Sequence, residues 1–185
     1  VLFEIRRIRN NYKKEGSHME NLQITSVKGK KQIAELAGLA DIIWHEHFTP
    51  IIGEAQVAYM LDKFQSEHAL SDMLQNQNYR YFFFEANGKK IGYIGIQPRE
   101  NILFLSKIYL LKEHRGKGYA RIGINFLTQL CQKEGYEKIQ LTCNRHNLNS
   151  VAAYQKMGFV SVYEQDADIG NGFVMNDYVM EKTVE

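Results

Sequence analysis

The chain has 185 residues, of which 44% are hydrophobic and 24% charged, and a formal net charge of +2. Its apolar runs stop well short of a bilayer-spanning helix, and its two cysteines, Cys131 and Cys143, have neither the density of a disulfide scaffold nor metal-ligand spacing. A reduced, cytoplasmic protein without membrane contact or bound metal is the expectation.

The first feature in chain order is not structural. Gly16-Ser17-His18-Met19 reads as a cloning scar ahead of an initiator methionine, and the basic stretch before it reads as vector-derived. We therefore expect a leader over residues 1–18 and a single domain over residues 19–185. Arg6, Arg7, Arg9, Lys13 and Lys14 against Glu4 and Glu15 give the leader +3, which leaves about −1 of the total +2 for the body. The pI of 8.4 thus belongs mostly to the leader, and bulk charge gives no support to nucleic-acid binding.

Leu22 onward, LQITSV, alternates like a strand, and residues 31–47 carry Ile33, Leu36, Ala37, Ala40, Ile43 and Trp44 at helical spacing. A second helix starts near Glu54 with Val57, Met60, Leu61 and Phe64 on one face, and a third covers residues 66–77. Two strand patterns, YRYFFFEA (79–86) and KIGYIGIQ (90–97), flank Asn87-Gly88, a strong hairpin signal. Residues 102–111, ILFLSKIYLL, form a further strand read as buried on nearly both faces. After the glycines that follow, Ile122, Phe126, Leu127 and Leu130 mark a helix ending near Gly135. Residues 137–143 read as a strand, 149–157 as a short helix, and FVSVYEQ and DYVMEK as closing strands. Antiparallel strands followed by a β-α-β crossover predict an α+β fold with a mixed, mainly antiparallel twisted sheet flanked by helices.

Between the long strand and its helix lies Glu113-His-Arg-Gly-Lys-Gly-Tyr-Ala120. It fits neither the P-loop, because Lys117 sits between Gly116 and Gly118, nor the dinucleotide pattern, which needs glycine at Arg121. What remains is a strand, a cationic glycine turn and an amphipathic helix, an arrangement that aims backbone N–H groups and a positive helix end at one anion. Pyrophosphate is the natural occupant.

Arg115-Gly116-Lys117-Gly118-Tyr119-Ala120 resembles the R/Q-x-x-G-x-G/A signature of the GCN5-related N-acetyltransferases. Asn147 to Phe159, NLNSVAAYQKMGF, is similar to a second segment of that family, at the usual distance downstream. The resemblance extends over most of residues 19–185 and implies acetyl-CoA as cosubstrate. It implies that Ile108, Tyr109 and Leu110 pair their backbones with the pantetheine arm in a gap between splayed strands, where a strand N–H faces the thioester carbonyl. It further implies that Gly116, Lys117, Gly118, Tyr119, Ala120 and Arg121 cradle the pyrophosphate beside Arg115. Asn147 would contact the cofactor or orient the following helix, and Tyr154 would protonate the departing thiolate. In magnitude, a phenol near pKa 10 gives a proton to a thiolate near 8.5 only uphill by about 2 kcal/mol, so hydrogen bonding to the sulfur is the more natural form of that role.

The position where several members carry a glutamate base is Thr142, which cannot serve as one at neutral pH. Glu54, His45, Ser106 and Glu85 remain as unranked alternatives. His45 and His47 lie two apart on a helix, on different faces, which argues against a metal pair. Cys143 has no neighbour in sequence that would activate it as a nucleophile. The loop FTPIIG (48–53) and the early helices are expected on the acceptor side. Within the family the pattern is most similar to the PaiA-type polyamine acetyltransferases, and Glu164, Asp166, Asp168 and Asp177 in the closing segment would suit a polycation. The reading is an N-acetyltransferase acting on a primary amine, possible acceptors being polyamines and other small amines. The alternatives are an acetyl-CoA sensor without turnover and an enzyme acting on protein amino groups. The apolar closing strands would also serve a homodimer interface.

Overall fold

Asn87 and Gly88 both adopt positive φ, 51° and 77°, and the strands they join pair antiparallel from Arg80↔Ile96 to Ala86↔Lys89. In the computed structural model, which describes residues 22–184, this hairpin sits within one seven-stranded sheet. The proposed leader and its boundary lie outside the described residues. The elements run β1 (Leu22–Ser26), α1 (Gly29–Ile52), α2 (Glu54–Gln65), α3 (Glu67–Asn76), β2 (Arg80–Ala86), β3 (Lys89–Arg99) and β4 (Ile102–Leu110), then a short 3₁₀ turn at Lys112–His114. They continue with α4 (Tyr119–Glu134), β5 (Lys138–Asn144), α5 (Leu148–Lys156), β6 (Val160–Gly170) and β7 (Phe173–Thr183).

The strand order is β1-β2-β3-β4-β5-β7-β6. Every neighbouring pair is antiparallel except β4 and β5, which are joined through α4 and run parallel. The α+β class and the crossover thus stand as expected.

The run Tyr81-Phe82-Phe83-Phe84 is buried throughout because both faces of the sheet are covered. Phe82 and Phe84 join a core with Ile94, Leu105 and Leu127 under α4, while Tyr81 and Phe83 join Leu36, Trp44, Leu70 and Tyr93 under α1–α3. Helix α4 approaches closest at Gly123, where an added Cβ would stand 2.6 Å from Phe84 Cζ. Ala120 packs against the same cluster.

Two expectations are corrected. FTPIIG is not a loop: α1 continues through it to Ile52 and contains Pro50. The proline lies in the last turn, where its missing N–H costs a single ladder bond, and Gly53, at φ 81°, returns its N–H to Thr49 to close the helix. Strand β4 is not buried on both faces but alternates, with Leu103, Leu105, Lys107 and Leu110 buried between half-exposed neighbours. The closing strands are longer than predicted and meet at a turn through Asn171 and Gly172, both at positive φ.

Candidate active site

The site begins with one extra residue. On β4, Lys107 pairs with Gly95 and Leu105 with Ile96, so Ser106 has no counterpart on β3 and forms a bulge. The bulge reverses the alternation. Leu103 and Leu105 face the α4 core, and beyond the bulge Ile108 and Leu110 do so, which turns Lys107 and Tyr109 toward α1–α3. Tyr109 there meets Trp44, Phe48 and Tyr93 at ring separations of 5.7, 5.6 and 5.5 Å.

Pairing of β4 with β5 ends at Leu105↔Leu141, while β5 stays with β7 as far as Asn144↔Asp177. Among the described residues no strand pairs with the β5 side of residues 106–110. A gap therefore opens between two strands, with backbone groups along it that an extended ligand can satisfy. A cavity of about 720 Å³ occupies this gap and continues beneath α1–α3. Ile108, Tyr109, Leu110, Arg115, Ala120, Asn147 and Tyr154 all line it. Gly116, Lys117, Gly118, Tyr119 and Arg121 lie on the loop and first turn of α4, outside its lining.

The loop's conformation explains its glycines. Gly116 and Gly118 have φ of 74° and 85°, and a Cβ on either would meet no atom within 4 Å, so left-handed backbone rather than packing selects them. The first ladder bond of α4 runs from the Ile122 N–H to the Gly118 carbonyl, which leaves the N–H groups ahead of it outside the helix ladder. Arg115 turns inward: its Nε donates to the Leu110 carbonyl at 2.8 Å, and its terminal nitrogens reach His47 Nδ1 at 3.2 Å and Glu46 Oε2 at 3.5 Å. The side chain thereby ties the loop to the end of β4 and to α1. Lys117 is exposed, and exposed Arg121 donates to the Lys156 carbonyl at 3.3 Å. These features fit a pyrophosphate held mainly by backbone at a helix start.

Asn147 caps α5, accepting from the Ser150 N–H at 3.4 Å, and its amide nitrogen lies 3.2 Å from His47 Nε2. His47 thus links α1 to both the loop and α5, a role its sequence position gave no sign of. Arg115 can only donate, so Nδ1 accepts; in the neutral ring the proton then lies on Nε2, which packs against the Asn147 amide nitrogen without accepting from it. Burial, followed by the Arg115 charge and opposed by Glu46, lowers the His47 pKa. Tyr154 is half-buried, its ring edge-on to Phe159 at 5.6 Å. Its phenol is desolvated and lies near Cys143 and Tyr109, which raises its pKa well above the ordinary value and keeps it a neutral donor.

Of the alternatives for a base, only Ser106 lines the cavity; Glu54, His45 and Glu85 do not, and His45 is occupied with the Asp41 carbonyl at 3.0 Å. Thr142 lines it beside the carboxylate of Asp177. Asp177 is 2% exposed and lines the cavity, and among the described residues its Oδ1 has no hydrogen-bond partner. Burial pushes its pKa up to about 6 against the lowering effect of Thr142 and Arg145. The other acidic residues of the closing segment are engaged elsewhere: Glu164 and Asp166 pair with Arg145, and Asp168 accepts from the Gly170 N–H at 2.7 Å. Lys107, also in the lining, is 7% exposed. Burial first, then the nearby Asp177, pushes the Cys143 thiol up to about 12, so an acyl-cysteine route has no thiolate to start from. Among the described residues there is no cluster of His, Cys, Asp or Glu suited to a metal, and no helix is long and apolar enough to cross a membrane.

Known proteins share this fold. The PaiA N-acetyltransferase of Thermoplasma acidophilum, solved in complex with coenzyme A, superposes with a TM-score of 0.72 at 20% identity over 88% of this chain and 98% of that one. A spermidine N-acetyltransferase SpeG chimera from Vibrio cholerae and hSSAT gives 0.66 at 20% identity over 88% and 95%. Human N-acetyltransferase 8 is 29% identical over 85 residues, covering 43% of this chain and 37% of that protein. The chain spans between about a quarter and two thirds of the length of the curated relatives it matches. The profile of the acetyltransferase (GNAT) family matches residues 37–159, from the first half of α1 through the glycine turn and the gap to just past α5, and on that match the chain belongs to the acetyltransferase (GNAT) family.

Proposed function

We propose that the protein is an acetyl-CoA-dependent N-acetyltransferase that moves the acetyl group to a small primary amine by direct attack on the thioester, from within a single domain over residues 19–185. Acetyl-CoA is the cosubstrate of the family. The observation that carries the reading is the continuous cavity that joins the β4–β5 gap to a chamber roofed by α1–α3. Its outer part has the unpaired strand edge that suits pantetheine, the glycine turn that suits pyrophosphate stands outside its lining between Arg115 and Ala120, and its inner part has room for a small acceptor.

In the reaction the amine nitrogen forms a bond to the thioester carbon, the carbon–sulfur bond breaks, and the nitrogen loses a proton while the sulfur gains one. An alkylamine with a pKa near 10.4 is charged at pH 7, and freeing its lone pair costs about 4.6 kcal/mol. Desolvation among Trp44, Phe48, Met60 and Met175 offsets part of this cost, because burial disfavours the ammonium. Tyr154, held neutral, donates a hydrogen bond to the sulfur as negative charge develops there. A backbone N–H on the open edge of β4 takes the same part at the carbonyl oxygen.

Release of free thiol from acetyl-CoA, measured with purified protein across polyamines, diamines, amino acids, lysine peptides and aminoglycosides, tests the reading. Turnover on a small amine above the acceptor-free rate supports it. Bound acetyl-CoA with no turnover on any of them overturns it in favour of a sensor.

A further inference from the structure

We infer that the chamber beneath α1–α3 is built for a primary amine that also carries a carboxylate, with Asp177 facing the ammonium end and Lys107 the carboxylate end of an apolar molecule. The inference rests on the N-acetyltransferase reading and names its acceptor class.

Both residues lie on the same face of the sheet. Beyond the β4 bulge, Ile108 and Leu110 belong to the α4 core, so Lys107 points to the other layer, where it packs over the rings of Tyr79 and Tyr81 at 5.3 and 5.6 Å. On β5, Leu141 and Cys143 belong to the α4 core, so Thr142 and Asn144 face α1–α3, and Asp177, directly opposite Asn144, faces the same way.

Each charged group lacks what a folded interior normally supplies. Lys107 is more than nine-tenths buried, yet its ammonium meets only the Ser106 hydroxyl at 3.1 Å and the two tyrosine faces; among the described residues no carboxylate pairs with it. Burial lowers its pKa to about 8, so near pH 7 most of the population is still charged. An unpaired interior ammonium is costly, and a ligand carboxylate would supply the missing counter-charge. Asp177 has an equally buried carboxylate with one oxygen unpartnered. The groups around it are Thr142 and Cys143 on β5, Tyr109 on β4, Asp166 on β6, and Arg145. Arg145 is the one cation among them, and Glu164 and Asp166 already engage it.

A polycation fits this chamber poorly. It would place a second ammonium near Lys107, and of Glu164, Asp166, Asp168 and Asp177 the first three are committed outside the cavity. The lining that holds both residues also includes Ile43, Trp44, Phe48, Met60, Phe64 and Met175, which suits an apolar body joining amine to acid.

The test uses matched acceptors with the intact chain and saturating acetyl-CoA: L-phenylalanine and L-methionine, 6-aminohexanoate, the carboxamides of all three, the corresponding amines without the acid, and spermidine. The expected result is a kcat/KM for at least one acid about tenfold or more above its own carboxamide, the size of a lost charge-assisted contact. In Lys107→Met the acid-to-amide ratio collapses toward one. Spermidine, amides or plain amines turned over as well as or better than every acid would overturn the inference while leaving the N-acetyltransferase reading intact. Survival of the ratio in Lys107→Met, with acetyl-CoA binding retained, would overturn it as well. Silence on every acceptor would sink both readings together. The comparison on the native chain decides the matter even where the variant fails to fold.

Discussion

On the α4 side of the gap the groups that suit a cofactor are main-chain ones: the open edge of β4, the left-handed Gly116 and Gly118, and the first turn of α4. On the α1–α3 side they are side chains, drawn from helices near one end of the described chain and from β4 and β7, with Lys107 and Asp177 seventy positions apart. Main-chain recognition tolerates sequence change as long as the backbone can adopt its shape, so it leaves a short, repeatable pattern of glycines and spacing. Side-chain recognition is assembled by the fold and can be rebuilt residue by residue for a new acceptor.

Substitutions can test whether these halves are separable. The largest effect is expected for Tyr154→Phe, which sits between them: kcat should fall about a hundredfold while acetyl-CoA affinity, read by calorimetry, stays close to native. Equal loss of both would place the tyrosine on the cofactor side alone. Gly123→Ala drives a methyl group to within 2.6 Å of Phe84 and 3.1 Å of Ile108, and should cost about 2 kcal/mol in urea unfolding. This would tie the stability of the cofactor side to one close helix–sheet contact. Gly118→Val introduces strain at φ 85° without a clash, and acetyl-CoA should bind about tenfold more weakly, with little change in the KM of the acceptor. A parallel change in acceptor KM would mean that the halves are not independent.

The smallest effect is a pH dependence. Lys107 has a folded pKa of about 8, below its ordinary 10.5, so between these values the unfolded chain binds a proton that the folded chain has shed. Stability therefore gains with rising pH through that window, by about 1 kcal/mol between pH 8 and 9. Lys107→Met should lack that gain, which the difference between native and variant urea curves at the two pH values would reveal.

The same contrast governs what the sequence made legible. Asn87-Gly88, the glycine turn and the Asn147-to-Phe159 segment each act through local backbone preference, and local preference survives in a short quotation of residues. Pro50 misled because a helix-breaking residue costs little in a final turn, where few ladder bonds remain to be lost. The bulge at Ser106 leaves no compositional mark, and with the alternation hidden the strand looked buried on both faces. One signal was available: Lys107 is a lone charge within the apolar run ILFLSKIYLL. Asp177 was visible only as one acid among several, since its separation from Glu164, Asp166 and Asp168 is a matter of which face of β7 meets the cavity.

That inserted residue in β4 has a further meaning. It acts as a phase shift, dividing a single strand into a length that zips to β5 and a length that does not. Were Ser106 paired with Gly95 instead of bulged, the alternation would run on unbroken and every side chain beyond it would change layers. Tyr109 would trade its aromatic neighbours for the aliphatic core, and Lys107 would face α4. The gap and the chamber's cation are in this sense one invention, because the residue that re-aims the lysine also lies where the sheet stops closing.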